Sequence, residues 1–247
     1  MFAQFDAIGY RLRRKIRDLS VRRELIQPTA EDIGKIRLVI SVDYEREFGN
    51  RQGELSSEVF DEILRILSEY EAKSTWNCVG QVAEKYPETI ERLIEEGHEI
   101  ACHTFAHVAP LKMSADCLRN DIRLAKELFK SKFGVELWGF RSPYGAWSPA
   151  LIGVLLSLEF RYNIDRTLHP SWQRLHWIKS VRGKPGPGGK ILRIPLVSTD
   201  GVYIRKGISP QGMLSQWLRY LHRDRQPSHH VHNRHIIAAR WLVTVKI

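Results

Sequence analysis

Two histidines four residues apart, His103 and His107, carry the strongest chemical signal in this sequence. Imidazoles at this spacing can converge on one metal ion. A short apolar stretch precedes them, so we expect both at the carboxyl end of a strand, where α/β enzymes collect their reactive groups. The helical His-x3-His motif of metalloproteases has a catalytic glutamate directly after its first histidine, but Thr104 stands there in this chain. The general base must therefore come from another segment.

The segment Ser41–Glu45 closes an upstream apolar strand and supplies two carboxylates, Asp43 and Glu45. Alternate residues of a strand share one face, so this pair points the same way wherever the strand is regular. One carboxylate can then bind metal while the other acts as base, and Asp43 is available as that base. The alternative is a solvated loop, because Arg46 and Glu47 follow at once.

Two further predicted strand ends carry reactive groups. Arg141 is followed by the turn Pro143–Gly145, and an arginine in this place can hold a carboxylate by two hydrogen bonds. Within the turn, the backbone N–H of Tyr144 can stabilise an oxyanion. Asp165 and His169 follow the next strand and are further candidates. An ordinary turn and a polar loop are the structural alternatives for these segments.

Strand and helix patterns alternate from Ile36 onward, and these elements must position the candidate residues. The predicted strands cover 36–42, 74–79, 99–102, 137–141, 160–164 and 191–197; the predicted helices cover 56–71, 82–96, 114–132, 148–158 and 210–223, with an exposed loop at 184–189. Repeated strand–helix units indicate an α/β fold with a mostly parallel sheet, and their number favours a barrel over an open sheet. Cys102 would point away from His103 on a strand and is predicted to be a small buried hydrophobic residue.

Length and composition are those of an ordinary globular protein. The 247 residues suffice for one large or two small domains, and 43% are hydrophobic. No apolar run approaches the roughly 20 residues of a membrane span. The first residues show neither the basic start nor the apolar stretch of a secretion signal, so we expect none. Three cysteines make no disulfide framework, which favours a reducing compartment. We therefore expect a cytoplasmic protein, with the inner membrane surface as a further option.

The formal charge of +10 is concentrated at the two ends of the chain. Seven basic and two acidic residues lie between Arg11 and Glu24, and three basic residues without an acid follow Ser228. The body is nearly balanced, so nucleic acid is not a predicted partner. Residues 2–20 form a predicted amphipathic helix, which packs on its own domain or a partner subunit, or contacts anionic lipid at a membrane surface. No linker divides the body, so we expect one domain at 36–227 between an extension at 1–30 and a tail at 228–247.

The pattern His-Thr-x-x-His followed by Arg-x-Pro-Tyr-Gly resembles the polysaccharide deacetylase family, the NodB-homology group of carbohydrate esterases. The resemblance runs from about Ile36 to Pro227, and the members whose first motif reads Val-Asp-x-Glu look closest. It implies a distorted (β/α)7-type barrel with a divalent metal, commonly zinc. The function that it implies is N-deacetylation of an N-acetylated sugar or polysaccharide. Hydrolysis of a small non-sugar amide, or an impaired homologue that only binds its ligand, are the alternatives.

The resemblance also implies roles for individual residues. Asp43 corresponds to the general base, and Arg141 would brace it. The metal ligands would be Glu45, His103 and His107. The turn with Tyr144 would line the acetyl pocket, and Asp165 stays a catalytic candidate.

The chain departs from the family pattern in three places. Glu45 replaces the commoner aspartate, and Asn163 stands where close relatives have the aspartate of Tyr-Asp-Ser-Ser. The family's last strand carries a histidine that serves as general acid, whereas this chain has four histidines in the seven residues 229–235. We interpret that run as a divergent or frame-altered terminus, and metal binding is the alternative interpretation. Only nominal candidates for the acid remain there, namely His229, His230 and His232.

Overall fold

The structure is a computed structural model that describes residues 25–26, 39–48, 57–146, 148–165, 176–178, 180–181, 184–185, 190–195, 198–199, 206–209, 212 and 242–246. The predicted helix 2–20, nearly all of the predicted helix 210–223, His169 and the histidine-rich run 229–235 lie outside these residues. Among the helices that are described, none is long and apolar enough to cross a membrane.

A ten-stranded sheet organises the described chain. Its strands are β1 (Leu25–Ile26), β2 (Val39–Tyr44), β3 (Thr75–Cys78), β4 (Glu99–Cys102), β5 (Gly139–Arg141), β6 (Tyr162–Asp165), β7 (His176–Ile178), β10 (Ile191–Pro195), β11 (Ser198–Thr199) and β12 (Leu242–Lys246), in the order β1-β7-β10-β6-β5-β4-β3-β2-β12-β11. Strands from β10 to β11 in this order pair in parallel, whereas β7 and β1 are antiparallel additions. The mostly parallel sheet predicted from the alternating elements is confirmed.

The sheet curls toward a barrel. Strands β10 and β11 belong to opposite parts of the sheet order, yet only two residues separate Pro195 from Ser198. A chain of this length spans at most about 11 Å between the two Cα atoms. The two parts of the sheet therefore approach each other, as in a distorted barrel.

The helices are α1 (Ser57–Glu69), α2 (Gly80–Lys85), α3 (Pro87–Glu95), α4 (Ala115–Phe133) and α5 (Pro149–Ser157). The prediction of one helix over 82–96 is wrong, because Tyr86 leaves the helical conformation (φ −129°) between α2 and α3. Pro87 is the cause: proline lacks an N–H and disfavours helical backbone in the residue before it. The other helix ends follow their caps, with the Ser114 hydroxyl accepting from the Cys117 N–H and Gly134 ending α4 at φ 68°.

Two predicted segment boundaries also change. Residues 242–246, which the sequence assigns to a tail, form β12 and pair in parallel with β2. Lys184–Pro185, which the sequence assigns to a loop, form β9 and pair with β8 (Ser180–Val181) as a separate two-stranded sheet. Strands β8 and β9 have two residues each, which is too short for a periodic sequence signal.

Over strands β2 to β5 the main sheet has an apolar outer face and a polar inner face. In-register Cys78 and Cys102, with Phe140 beside them, join the hydrophobic core that packs on the helices. Burial raises the pKa of the Cys102 thiol to about 12, and its predicted role as a small buried hydrophobic residue is confirmed. Because side chains alternate along a strand, the inner face carries Asp43 and Arg141.

Candidate metal and catalytic site

The candidate residues lie together at the carboxyl ends of neighbouring strands. Asp43 is the second-last residue of β2 and Glu45 follows that strand, while His103 follows β4 directly. Arg141 is the last residue of β5. The strands β2 to β5 run parallel, so their carboxyl ends meet.

Glu45, His103 and His107 converge on one point. Glu45 Oε2 lies 2.9 Å from His107 Nε2 and 3.5 Å from His103 Nε2. The three potential ligand atoms all lie within 4.8 Å of one another, and all three residues are buried. Neither Nε2 atom forms a hydrogen bond with a described residue. Buried imidazole nitrogens without such a bond need another partner, and two imidazoles with one carboxylate are a donor set that suits a divalent metal ion.

The tautomer of His103 is fixed by its second nitrogen. His103 Nδ1 lies 2.7 Å from the backbone carbonyl oxygen of Arg141. A carbonyl can only accept, so Nδ1 carries the proton and donates it. The Nε2 lone pair is then directed at Glu45, which is the arrangement that a metal-binding histidine requires.

Asp43 lies beside this cluster and is held by two neighbours. Its Oδ1 accepts from Asn77 Nδ2 at 2.9 Å and from Arg141 Nε at 3.2 Å. Its Oδ2 is 3.5 Å from Arg141 Nη2, which is a long contact. The predicted pairing of Arg141 with Asp43 is therefore present, and Oδ2 is the oxygen with more capacity to accept a proton.

The backbone around the site is strained. Four of the six non-glycine residues with positive φ in the described chain lie here, namely Arg46, Thr104, His107 and Tyr144. Such conformations cost on the order of 1–3 kcal/mol each and persist only where the surroundings impose them. The β-branched Thr104, at φ 67°, is the least expected of them.

Aromatic rings flank His107 at the mouth of the site. The Tyr144 ring centroid lies 5.1 Å from the His107 ring centroid, and the Phe48 centroid lies 6.0 Å from it. Tyr144 is 54% exposed although its neighbours Pro143 and Gly145 are buried. The turn therefore presents a tyrosine to solvent directly beside the histidines.

Asp165 is separated from this cluster, and its placement argues against the predicted catalytic role. Arg141 is in register with Ile164, so Asp165 stands on the opposite, outer face of β6. Its carboxylate accepts from Arg193 Nη2 at 2.6 Å and from Asn163 Nδ2 at 2.8 Å. Both Asp165 and Arg193 are buried. Asp165 thus forms a structural ion pair behind the site.

Three functional or supporting residues were missed by sequence reasoning: Asn77, Asp121 and Arg193. Asn77 lies at an inner-face position of β3, where a polar residue in a buried strand is the available signal. Asp121 accepts hydrogen bonds from the backbone of the loop between the histidines, and it interrupts the buried side of α4. Arg193 lies in an apolar strand, and its partner could only be found from the strand register.

Comparison with known families assigns the chain to one of them. The chain matches the family model described as polysaccharide deacetylase over residues 38–163, just over half of its length. It belongs to the polysaccharide deacetylase family. The matched range contains Asp43, Glu45, both histidines and Arg141, and the family membership predicted from the motifs is confirmed. The Val-Asp-x-Glu subgroup stays a prediction.

Curated relatives share shorter segments. The chain is 35% identical over 83 residues to a peptidoglycan-N-acetylglucosamine deacetylase of Bacillus cereus, covering 34% of this chain and 30% of that protein. It is 33% identical over 89 residues to a bifunctional xylanase/deacetylase of Pseudobutyrivibrio xylanivorans, covering 36% and 15%. It is 30% identical over 94 residues to a chitooligosaccharide deacetylase of Sinorhizobium fredii, covering 35% and 41%. The matched segments span less than half of each relative.

Solved structures share the fold. A Mycobacterium smegmatis protein assigned as a polysaccharide deacetylase superposes with a TM-score of 0.64 at 18% identity, covering 86% of this chain and 78% of that one. A CE4 family pseudoenzyme from Bacillus anthracis gives a TM-score of 0.54 at 12% identity, covering 86% and 56%. At these identities the likeness shows the fold alone, and it confirms the predicted polysaccharide deacetylase-type barrel.

Proposed function

We propose that this protein is a metal-dependent hydrolase that removes the acetyl group from an N-acetylated sugar or polysaccharide. The observation that carries the proposal is the convergence of Glu45, His103 and His107 beside the braced carboxylate of Asp43. Family membership supports the reaction class. The names of the relatives, which include peptidoglycan and chitooligosaccharide deacetylases, support an N-acetylglucosamine-containing substrate.

Glu45, His103 and His107 would hold the metal, and we propose zinc because imidazole and carboxylate ligands suit it. When bound, the ion would act as a Lewis acid toward the acyl oxygen and lower the pKa of water toward about 7. The two Nε2 atoms, which form no hydrogen bond within the described part of the chain, and the fixed Nδ1 proton of His103 support this set. Glu45 is longer than the family's commoner aspartate, and the 2.9 Å contact with His107 supports its reach into the site.

Asp43 is the proposed general base. Asn77 and Arg141 hold its Oδ1, so the carboxylate is fixed in orientation before substrate arrives. Its Oδ2 would take a proton from the attacking water, since among the described residues only the long Arg141 contact engages that oxygen. General-base catalysis of this kind contributes about 10²–10⁴ in rate.

The turn at Tyr144 is the proposed acyl-binding wall. Its exposed phenol ring beside His107 leaves the site open to a large substrate on that side. The backbone N–H of Tyr144 would stabilise the oxyanion as the tetrahedral carbon forms. The departing amine needs a proton donor, for which no described residue is proposed.

The test is acetate release from N-acetylchitooligomers by the full chain with added zinc or cobalt. We expect turnover with the metal, loss of turnover with a chelator, and loss in the His103→Ala variant. Small N-acetyl amides and ureides form the comparison panel. Turnover of these compounds but not of the oligomers would contradict the sugar substrate, and no turnover of either with saturating metal would contradict the enzymatic proposal.

A further inference from the structure

The loop from His103 to His107 adopts a conformation that its own residues do not favour. Thr104 and His107 both have positive φ, 67° and 50°. A β-branched threonine strongly disfavours that region and a histidine adopts it only uncommonly, so contacts from outside the loop must impose it. These contacts determine where the two imidazoles lie.

One side of the loop is held by the strand and helix before it. His103 N–H donates to the Cys78 carbonyl at 3.0 Å. At the start of α2, the Gly80 and Gln81 N–H groups donate to the carbonyls of Thr104 and Phe105, at 3.0 and 2.9 Å. These bonds engage the His103 N–H and the carbonyls of Thr104 and Phe105, and they leave the N–H groups of Phe105 and Ala106 to another partner.

That partner is the Asp121 carboxylate on α4. Its Oδ2 accepts from the Phe105 N–H at 2.7 Å, and its Oδ1 accepts from the Ala106 N–H at 3.1 Å. Burial raises the pKa of the Asp121 carboxyl, and the two backbone donors oppose that rise. Each oxygen serves one N–H, which no neutral side chain of the same size can reproduce.

The position of Asp121 in α4 shows that its carboxylate serves hydrogen bonding to the loop and not the packing of the helix. Its neighbours on the buried side of α4 are apolar, among them Leu118, Ile122 and Ala125. A carboxylate among them carries a desolvation cost that an apolar residue would avoid. What the carboxylate provides here is the two hydrogen bonds to the loop, and those bonds lie midway between His103 and His107.

We infer that Asp121 is a positioning residue for the metal site, whose carboxylate holds the loop in the conformation that brings both imidazoles to Glu45. The inference rests on the proposed metal site. Asp121 bonds to the backbone N–H groups of Phe105 and Ala106, so it acts on the imidazoles through the loop. Removal of such supporting partners typically weakens metal affinity by 10–100-fold.

The test compares Asp121→Asn with two matched controls on the same helix. Asp116→Asn makes the same change on the exposed first turn of α4, and Ile122→Val loosens the core beside Asp121 while keeping the hydrogen bonds of Asp121 to the loop. Zinc affinity of each folded full-length chain is measured by competition with a chromophoric chelator, and the cobalt-loaded absorption spectrum is recorded. We expect affinity at least tenfold weaker and an altered cobalt spectrum for Asp121→Asn, with wild-type values for both controls.

A loss of less than tenfold in Asp121→Asn, or an equal loss in Ile122→Val, would overturn the positioning role. Failure of the metal site itself is distinguished by His103→Ala: if that variant binds zinc as the wild type does, the proposed site is wrong. Amide hydrogen exchange of the metal-free wild type covers the case in which Asp121→Asn does not fold. Strong protection of the Phe105 and Ala106 amides supports the inference, and exchange at the rate of an open loop contradicts it.

Discussion

Two buried clusters of charged side chains occupy opposite faces of the same sheet. On the inner face, Asp43 and Arg141 lie beside imidazoles whose Nε2 atoms make no hydrogen bond to a described residue. On the outer face, both oxygens of Asp165 accept from Arg193. Burial and charge are alike in both clusters, so these properties alone do not mark a catalytic site.

Two features distinguish the inner cluster: imidazole nitrogens that form no hydrogen bond with a described residue, and a strained backbone around them. Its imidazole nitrogens converge on Glu45, and four strained backbone positions surround it. The outer cluster satisfies its carboxylate, and β6 and β10 show no positive φ. A buried polar network whose groups are all hydrogen-bonded to one another stabilises the fold. A network in which unbonded imidazole nitrogens and a carboxylate converge on one point is arranged to bind a ligand.

The largest expected effect is on kcat, and it distinguishes Asp43 from Asp165. Asp43→Asn should lower the kcat of acetate release by about 10²–10⁴-fold while zinc affinity stays within threefold, because the base is lost and the ligands are kept. Asp165→Asn is the matched change on the outer face and should leave kcat within about threefold in folded protein. Loss of turnover in folded Asp165→Asn would contradict the division between the faces.

The next effect concerns stability. Arg193→Met should lower the free energy of unfolding by about 3–5 kcal/mol, because Asp165 would be left buried without its partner. Urea unfolding followed by circular dichroism measures it. The double variant Arg193→Met/Asp165→Leu should recover most of the loss. A single-variant loss below about 1 kcal/mol would show that the ion pair is not structural.

The same comparison of the two faces can be made with Asn77 and Asn163. Asn77→Ala removes a hydrogen bond to the Asp43 carboxylate, and such bonds contribute about 1.5–3 kcal/mol. We expect kcat to fall roughly 10–100-fold. Asn163→Ala, on the outer face, should destabilise the fold without changing kcat. Equal kcat values in the two variants, measured by acetate release, would remove Asn77 from the catalytic arrangement.

The smallest effect tests the strain at the site. Thr104 and Gly134 share almost the same φ, 67° and 68°, and open space surrounds Gly134. Gly134→Ala should cost about 1 kcal/mol of unfolding free energy, since its left-handed backbone disfavours a side chain. Thr104→Gly should change it by less than about 1 kcal/mol, because relief of strain offsets the added chain entropy. Thermal unfolding checks both, and a loss above 2 kcal/mol for Thr104→Gly would contradict strain at that residue.

The comparison also shows what sequence can predict. His103, His107, Asp43 and Glu45 could be found because their residue types follow apolar strands, and parallel strands bring their carboxyl ends together. The break at Tyr86 has a local signal as well, because proline follows it, although the predicted helix 82–96 ran across it. These signals are local in the chain.

Other features depended on register between distant strands. Asp165 looked like Asp43 in sequence, since both lie at strand ends, but pairing with β5 places it on the outer face. Asn77 and Asp121 gain their roles from partners 34 and 15–16 residues away. One-dimensional periodicity does not specify those pairings, and a shift of one residue in register would reverse the face of every side chain.

The central claim is that Glu45, His103 and His107 bind one metal ion. The most direct measurement is cobalt and zinc binding by the full chain after dialysis, compared with His103→Ala and with a variant in which His229, His230, His232 and His235 are alanine. We predict one ion per chain in the wild type and in the tail variant, and none in His103→Ala. One ion retained by His103→Ala and lost from the tail variant would contradict the claim.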